Sequence, residues 1–259
     1  MMIAGYVELE FDLAGALLRE VTQLFGMMTA ADLTTTNLVA VAEAAGVYAL
    51  YSKATGDLFY IGKAEGSKGL HNRLTRHMRK INGRGFITPS DVQFKAIRLF
   101  VFAAMDLETS LITHYGGTKN VPWNHSGFGS NDPGKERDTT KYKKDHFDTQ
   151  HPIRLDASFV DIAPGLYPVS EIMQKLKDDL PYLLRFQRPN PNSRTSFEPE
   201  FVANQVTVPR LGMSTRELVE LCVNGLPTGW HATALPSHII CYKNDTRKFP
   251  SGKQIATSP

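Results

Sequence analysis

The hydrophobic period changes several times along the chain, and each change marks an element. Tyr6 to Phe11 (YVELEF) alternates apolar and polar residues, the two-residue period of a half-buried strand. Leu13 to Phe25 places Leu17, Leu18, Val21, Leu24 and Phe25 at helical spacing, which predicts an amphipathic helix ending at Gly26. Residues 27–45 read as further helix or loop. Gly46 to Ser52 (GVYALYS) and Leu58 to Gly62 (LFYIG) are β-branched and aromatic, and KATGD between them is turn chemistry. The pair predicts a β-hairpin. Gly69 to Ile81 returns to helical spacing, with Leu70, Leu74 and Met78 inward and Gly83 as terminator. A third strand is expected over Gln93–Phe102. Another helix is expected over Asp106–Tyr115, with Leu107, Leu111 and Ile112 toward the core.

From Gly116 to Pro164 no period is sustained, and Gly, Asn, Asp, Pro and Lys dominate. Unstructured connections beyond ~12–15 residues are uncommon in compact domains and are usually functional or disordered. Trp123, Phe128 and Phe147 argue against disorder. A separate unit is expected after that loop. It opens with a helix over Pro168–Leu184, N-capped by Ser170 and stopped or kinked by Pro181. Arg185–Glu200 is linker-like. A second helix starts at the capping box of Ser214 and Glu217 and closes at Asn224–Gly225. One or two strands over Trp230–Tyr242 follow, then frayed residues from Gly252. The fold class expected is α+β. A small antiparallel or mixed sheet flanked by helices carries an N-terminal strand and helix, a long loop and a C-terminal α+β extension. The expected domains are residues 1–164 and 165–259.

Composition narrows the classes. Of 259 residues, 42% are hydrophobic and the net charge is only +3, which excludes disorder throughout. The longest apolar stretch, near Leu99–Met105, is far short of the ~20 residues of a spanning helix, so no membrane partner is expected. Acids stand where a secretory signal wants a basic end, and a cytoplasmic location is the expectation. Two cysteines without a CxxC pair and eight scattered histidines without HExxH do not make a zinc site. Charge is uneven along the chain. Residues 1–45 carry one base and six acids, whereas residues 63–100 carry nine bases and two acids. A concentrated basic stretch is the footprint of a polyanion partner, although a solvated basic helix face has the same composition.

The candidate chemistry lies around that stretch. Tyr48 and Tyr60 sit near the centres of the two hairpin strands. Arg73 and His77 stand at i and i+4 on one helix face. Glu108 follows on the next helix and Asn124 beyond it. Each alone is ordinary: a packed tyrosine, a solvated helix face, a surface acid. Their set and order, however, resemble the GIY-YIG nuclease superfamily. The first motif stands as Gly46-Val47-Tyr48 and the second as Tyr60-Ile61-Gly62, with eleven residues between the tyrosines. Arg73, His77 and Glu108 match the family's helix positions, and Asn124, or its rival Asn120, matches the late Asn. Trp123-Asn124, Gly127-Phe128-Gly129, Asn131-Asp132-Pro133-Gly134 and His151-Pro152 resemble the type II restriction endonuclease branch. The resemblance covers roughly residues 5–160.

The resemblance implies a site-specific endonuclease of a restriction-modification system that hydrolyses phosphodiester bonds of double-stranded DNA. It makes Tyr48 the general base, primed by His77. Tyr60 would hydrogen-bond phosphate or water, and Arg73 would stabilise the phosphate. Glu108 would hold Mg²⁺, with Mn²⁺ as a substitute. Lys63, Arg76, Arg79 and Lys80, with Arg84, would contact phosphates. Arg137, Lys141, Lys143 and Lys144 in the long loop would help to read the sequence. A palindromic site implies a homodimer. A homing or repair endonuclease with the same catalytic layer, or a DNA-binding module that does not cut, are the alternatives.

Overall fold

The structure is a computed structural model that describes residues 5, 7–8, 10, 12–65, 69–100, 107–129, 132, 134–190 and 196–259. Of the strand expected over Tyr6–Phe11, residues 6, 9 and 11 lie outside the described residues and 7, 8 and 10 belong to no strand. The third strand ends at Arg98 rather than Phe102, and the start of the helix expected at Asp106 lies outside the described residues. The chain divides into two compact units. The first is Met1–Met78 with Pro89–His125, and the second is Arg79–Thr88 with Ser126–Pro259. The division therefore does not fall at residue 164. Most of the long loop belongs with the C-terminal part.

The first unit contains α1 (Leu13–Met27), β1 (Ala31–Asp32), α2 (Thr35–Leu38), β2 (Gly46–Ser52), β3 (Leu58–Ala64), α3 (Gly69–Asn82), β4 (Val92–Arg98) and α4 (Leu107–His114), with the last turn of α3 in the second unit. Asp12 opens α1 by accepting from the Gly15 N–H at 2.8 Å. The four strands pair antiparallel in the order β1-β4-β2-β3. Alternation splits the strand residues between two faces. Val47, Ala49 and Ile61 pack with Val21 and Phe25 of α1, with Leu107, Leu111 and Ile112 of α4, and with Val121. Tyr48 and Tyr60 take the opposite face, beneath α3. The hairpin and both helices are where the period places them.

The second unit contains α5 (Phe147–Gln150), β5 (Gly165–Pro168), α6 (Val169–Asp179), β6 (Leu183–Phe186), α7 (Pro199–Ala203), β7 (Gln205–Val208), α8 (Thr215–Asn224), β8 (Trp230–Ala234), β9 (His238–Lys243) and β10 (Lys253–Thr257). A mixed sheet has the order β10-β8-β9-β6, with β6 parallel to β9, and β5 pairs with β7. One apolar core joins Ile172, Met173 and Leu176 of α6 to Leu218, Val219 and Cys222 of α8 and to Trp230 and Ile239 of the sheet.

Three expectations need correction here. Ser170 is not the N-cap of α6, because the helix begins one residue earlier, after Pro168. The tail from Gly252 is not frayed. β10 pairs with β8, and Ser258 exchanges two bonds with Trp230, at 2.8 and 3.0 Å. The helix expected to run to Leu184 ends at Asp179, before Pro181, and β6 begins at Leu183. The capping box is present, with the Glu217 side chain on the Ser214 N–H at 2.8 Å.

Candidate active site

The first unit gathers its polar side chains on the α3 face of the sheet. Antiparallel pairing sets Tyr48 directly opposite Gly62. A Cβ on Gly62 would lie 2.4 Å from the Tyr48 hydroxyl oxygen and 2.7 Å from Cε1 of Tyr60. Only a residue without a side chain lets both rings lie across β3 at this point. One turn of α3 then brings Arg73 and His77 down onto the rings. The three ring centroids form a triangle: Tyr48–Tyr60 6.0 Å, Tyr48–His77 5.5 Å and Tyr60–His77 5.3 Å. All three residues are buried.

The hydrogen bonds have a direction. Nε–H of Arg73 donates to the Tyr48 oxygen at 3.3 Å. Nε2 of His77 lies 2.7 Å from the same oxygen. Arginine can only donate, so the Tyr48 oxygen accepts there, and its one proton goes either to His77 or to Tyr60. In the arrangement that sends the Tyr48 proton to His77, Nε2 is the acceptor and the ring proton sits on Nδ1. Tyr60 hydrogen-bonds both Arg73 and Tyr48.

Burial pushes the Tyr48 phenol well above its ordinary range. Tyr60 and Glu108 push the same way, while Arg73 opposes them. Tyr60 is raised by burial and by Glu108, again against Arg73. Burial works against the charge of Arg73, but the two tyrosine oxygens outweigh it and hold the guanidinium charged. Glu108 thus acts electrostatically on both phenols, and the five side chains form one coupled group.

A cleft of about 360 Å³ opens beside this group. Its lining includes Lys63, Glu65, Asn72, Arg73, Arg76 and Glu108. Tyr48, Tyr60 and His77 are not part of that lining. Arg73 belongs to both, with one edge on the tyrosines and the rest toward the cleft. Glu65 pairs with Lys63 at 3.1 Å. The sequence reading missed Glu65 and Asn72. Asn72 stands one turn before Arg76, and that spacing was the available signal. Among the described residues no group of three or more His, Cys, Asp or Glu could hold a metal ion. A closed cage is therefore not offered there. A single hard carboxylate in an open, polar cleft does fit Mg²⁺, which keeps several waters and takes its remaining ligands from phosphate.

Asn124 has a different place. Its Oδ1 accepts from the Ile61 N–H at 2.9 Å, and its Nδ2 donates to the Ile61 carbonyl at 2.8 Å. The amide thereby completes the outer edge of β3 as a strand partner would. Trp123 stacks on Phe59, centroids 4.4 Å apart, and fixes the approach. Asn120 is exposed and ends a 3-10 turn.

The remaining cations fall into two sets. Arg76, Arg137, Lys141, Lys143 and Lys144 are exposed. Arg79 and Lys80 have ends committed within the second unit. The Arg79 guanidinium caps α6 through the carbonyls of Asp178, Asp179 and Leu180. The Lys80 ammonium donates to the Gly127 and Phe128 carbonyls at 3.2 and 2.6 Å, over the rings of Phe128 and Phe147. Arg84 is buried against Asp148 at 2.9 Å. The sequence reading gave all three phosphate roles, because such contacts leave no trace in helical spacing.

The exposed loop cations are carried on a pinned segment. Asp138 is fully buried. Arg185 grips both its oxygens at 2.7 and 2.8 Å, His238 Nε2 lies at 2.9 Å and the Tyr242 hydroxyl donates at 2.8 Å. Ser237 continues the row, 2.7 Å from Nδ1 of His238. The row has the residue types of a serine hydrolase. Arg185 neutralises its acid, however, so the row is read as a strut that holds the loop on the sheet. No helix among the described residues is long and apolar enough to cross a membrane. No protein-family model matches this chain, and no curated protein matches it.

Proposed function

We propose that the chain is a metal-dependent endonuclease of the GIY-YIG type, acting at specific sites of double-stranded DNA in the manner of a type II restriction enzyme. The observation that carries this reading is the convergence of Tyr48, Tyr60, Arg73, His77 and Glu108, from two strands and two helices, beside a cleft lined by cations. The motif residues alone would be a weak argument. Their coupling through the Tyr48 hydroxyl, 2.7 Å from His77 and 3.3 Å from Arg73, makes it a chemical one.

Hydrolysis joins a water oxygen to phosphorus and breaks the bond to the leaving sugar oxygen. The water must lose a proton. An unperturbed phenol at about pH 7.5 would need ~3.4 kcal/mol to exist as phenolate. Burial raises that demand for Tyr48, so a free phenolate is the wrong intermediate. A hand-over avoids it: Tyr48 takes the proton from water while its own passes to Nε2 of His77, the leaving sugar oxygen takes a proton from solvent, and His77 returns its proton to solvent afterwards. Arg73 has five N–H donors, more than two tyrosines use, and offers the rest to a phosphate oxygen. Glu108 would hold Mg²⁺, which when bound neutralises phosphate charge. Lys63 and Arg76 would position the backbone. Arg137, Lys141, Lys143 and Lys144 would face DNA from the pinned loop, and two copies would serve the two strands.

One observation favours a second reading. The tyrosines and His77 lie behind the lining of the cleft, which suits a module that grips phosphate without cutting. A plasmid of known sequence, incubated with the protein in Mg²⁺ and separately in EDTA, decides between them. Mg²⁺-dependent fragments with fixed ends are the expected result. Glu108→Ala and Arg73→Ala should each abolish them while leaving the circular dichroism spectrum unchanged. Loss of one stabilising donor commonly costs about 3–4 kcal/mol of barrier. Cutting by Glu108→Ala at the wild-type rate would sink the assignment.

A further inference from the structure

We propose that Lys248 and Lys253 join Arg137, Lys141, Lys143 and Lys144 in one surface that grips the phosphate backbone of duplex DNA, an inference that rests on the nuclease reading above. It gives the C-terminal segment a part in binding. All six side chains are exposed, and none forms an ion pair among the described residues. The sequence reading gave the four loop cations to DNA and left the two near the C-terminus without a role.

Charge along the second unit isolates these residues. From residue 155 to 244, eight bases face nine acids. Several of those bases are matched: Lys175 pairs with Asp179 at 2.9 Å, Arg216 with Asp156 at 2.6 Å and Lys243 with Glu200 at 2.5 Å. Residues 245–253 then carry three bases and one acid, and that acid, Asp245, is held by Arg247 at 2.6 Å. Lys248 and Lys253 are left over. The loop sorts its charges in the same way. Residues 135–145 carry five bases and three acids. Asp138 is buried on Arg185, which leaves Glu136 and Asp145 as the exposed acids of this segment.

Hydrogen bonds put the two segments side by side. Ser251 Oγ accepts from the Tyr142 N–H at 2.8 Å, across 109 positions, and donates to the Thr140 carbonyl at 3.2 Å. Lys135 and Arg247 lie over one ring, that of Tyr242, at 4.8 and 5.7 Å from its centroid. The cations of both segments are thus gathered where the segments meet. Self-repulsion opposes that arrangement, and an anionic partner relieves it. No large hydrophobic side chain is exposed among the described residues of either segment. The core of a protein–protein interface would call for apolar and aromatic side chains, whereas a phosphate backbone calls for lysine and arginine on one face.

The test uses the full chain and a fluorescent duplex carrying the site mapped in the plasmid assay, with Ca²⁺ replacing Mg²⁺ during binding. Affinity is followed from about 50 to 200 mM salt, and each phosphate contact contributes about 0.9 to the slope of log affinity against log salt. Lys248→Gln with Lys253→Gln should lower that slope by about 1.8, so that affinity falls about 12-fold less over this range than in wild type. Lys175→Gln with Arg210→Gln removes the same charge elsewhere on the unit and should keep the wild-type slope. Cut positions should be the same in all three proteins, since phosphate contacts carry no base information. An unchanged slope in the first pair overturns the surface and leaves the nuclease reading standing. So does an equal fall in the second pair, which would make net charge the cause. Polyglutamate that displaces the duplex as well as unlabelled DNA does, charge for charge, overturns the choice of partner. A wild type that neither binds nor cuts any plasmid removes the nuclease reading first and the surface with it.

Discussion

Replacing Gly62 by alanine tests the geometry on which the candidate site depends. The added methyl carbon would stand 2.4 Å from the Tyr48 oxygen, 2.5 Å from its Cζ and 2.7 Å from Cε1 of Tyr60. These are rigid ring atoms, and they cannot swing aside as the end of a lysine would. Tyr48 is fully buried and its hydroxyl is fixed between His77 and Arg73, so the ring yields only by giving up those bonds. Overpacking of this kind costs typically about 1–3 kcal/mol. For a unit of this size that corresponds to a drop in melting temperature of roughly 2–8 °C for each kcal/mol. Thermal unfolding by circular dichroism measures the drop, and plasmid cleavage should fall with it as the Tyr48 hydroxyl leaves His77. A double-mutant cycle with Tyr48→Ala isolates the contact. Once the ring is gone, Gly62→Ala should cost much less, with a coupling of about 0.5–3 kcal/mol. If Gly62→Ala melts and cuts like wild type, the Tyr48 ring does not lie over Gly62 and the proposed proton path loses its basis.

Other consequences can be measured in the same preparations. Asn124→Leu leaves the buried N–H and C=O of Ile61 without their partner, at about 1–3 kcal/mol each. It should lower the melting temperature with the Mg²⁺ requirement for cleavage unaltered. Asp138 gives a pH dependence. Burial alone would raise its carboxyl, but hydrogen bonds from His238, Arg185 and Tyr242 outweigh burial and lower it. A carboxyl lowered on folding stabilises the fold above its unfolded value of ~3.9, and that contribution is lost as pH falls through the folded value. Acid titration followed by circular dichroism should therefore show a transition below about pH 4, with a shallower acid limb in Asp138→Asn. Asp138→Ala, which leaves Arg185 with an unmatched charge, should be destabilised by about 3–5 kcal/mol. Its loop should become sensitive to protease near Lys141–Lys144.

Much of the first unit could be read from residue order, because its signals are local. Hairpin strands alternate around a turn, and α3 and α4 repeat their apolar positions every turn. The Ser214–Glu217 capping box was legible for the same reason, since three residues decide it. What escaped the sequence depended on distant partners. β10 reads KQIAT, a short polar segment, and becomes a strand only because β8 offers an edge. The loop belongs to the second unit through Asp138, whose acceptor oxygens meet Arg185 and His238, 47 and 100 positions away. No local pattern announces that. At the candidate site the residue types were legible, while the use of Asn124 on the Ile61 backbone was not. Arg79 and Lys80 were misread because a cation turned inward to carbonyls has the same spacing as one turned outward to phosphate.

The interleaving of the two units has a consequence for how the protein comes into being. Arg84 donates to the carbonyl of Pro236, 152 positions further on. At a synthesis rate of about 5–20 residues per second, the segment around Arg84 waits roughly 8–30 s on the ribosome before that acceptor exists. During that interval Ile81, Ile87 and Phe128 have no finished core to enter, and the nascent chain exposes them to chaperones and proteases. Pulse-labelled translation should show the protease-resistant form of this unit only after residue 236 has cleared the exit tunnel, however early the hairpin forms.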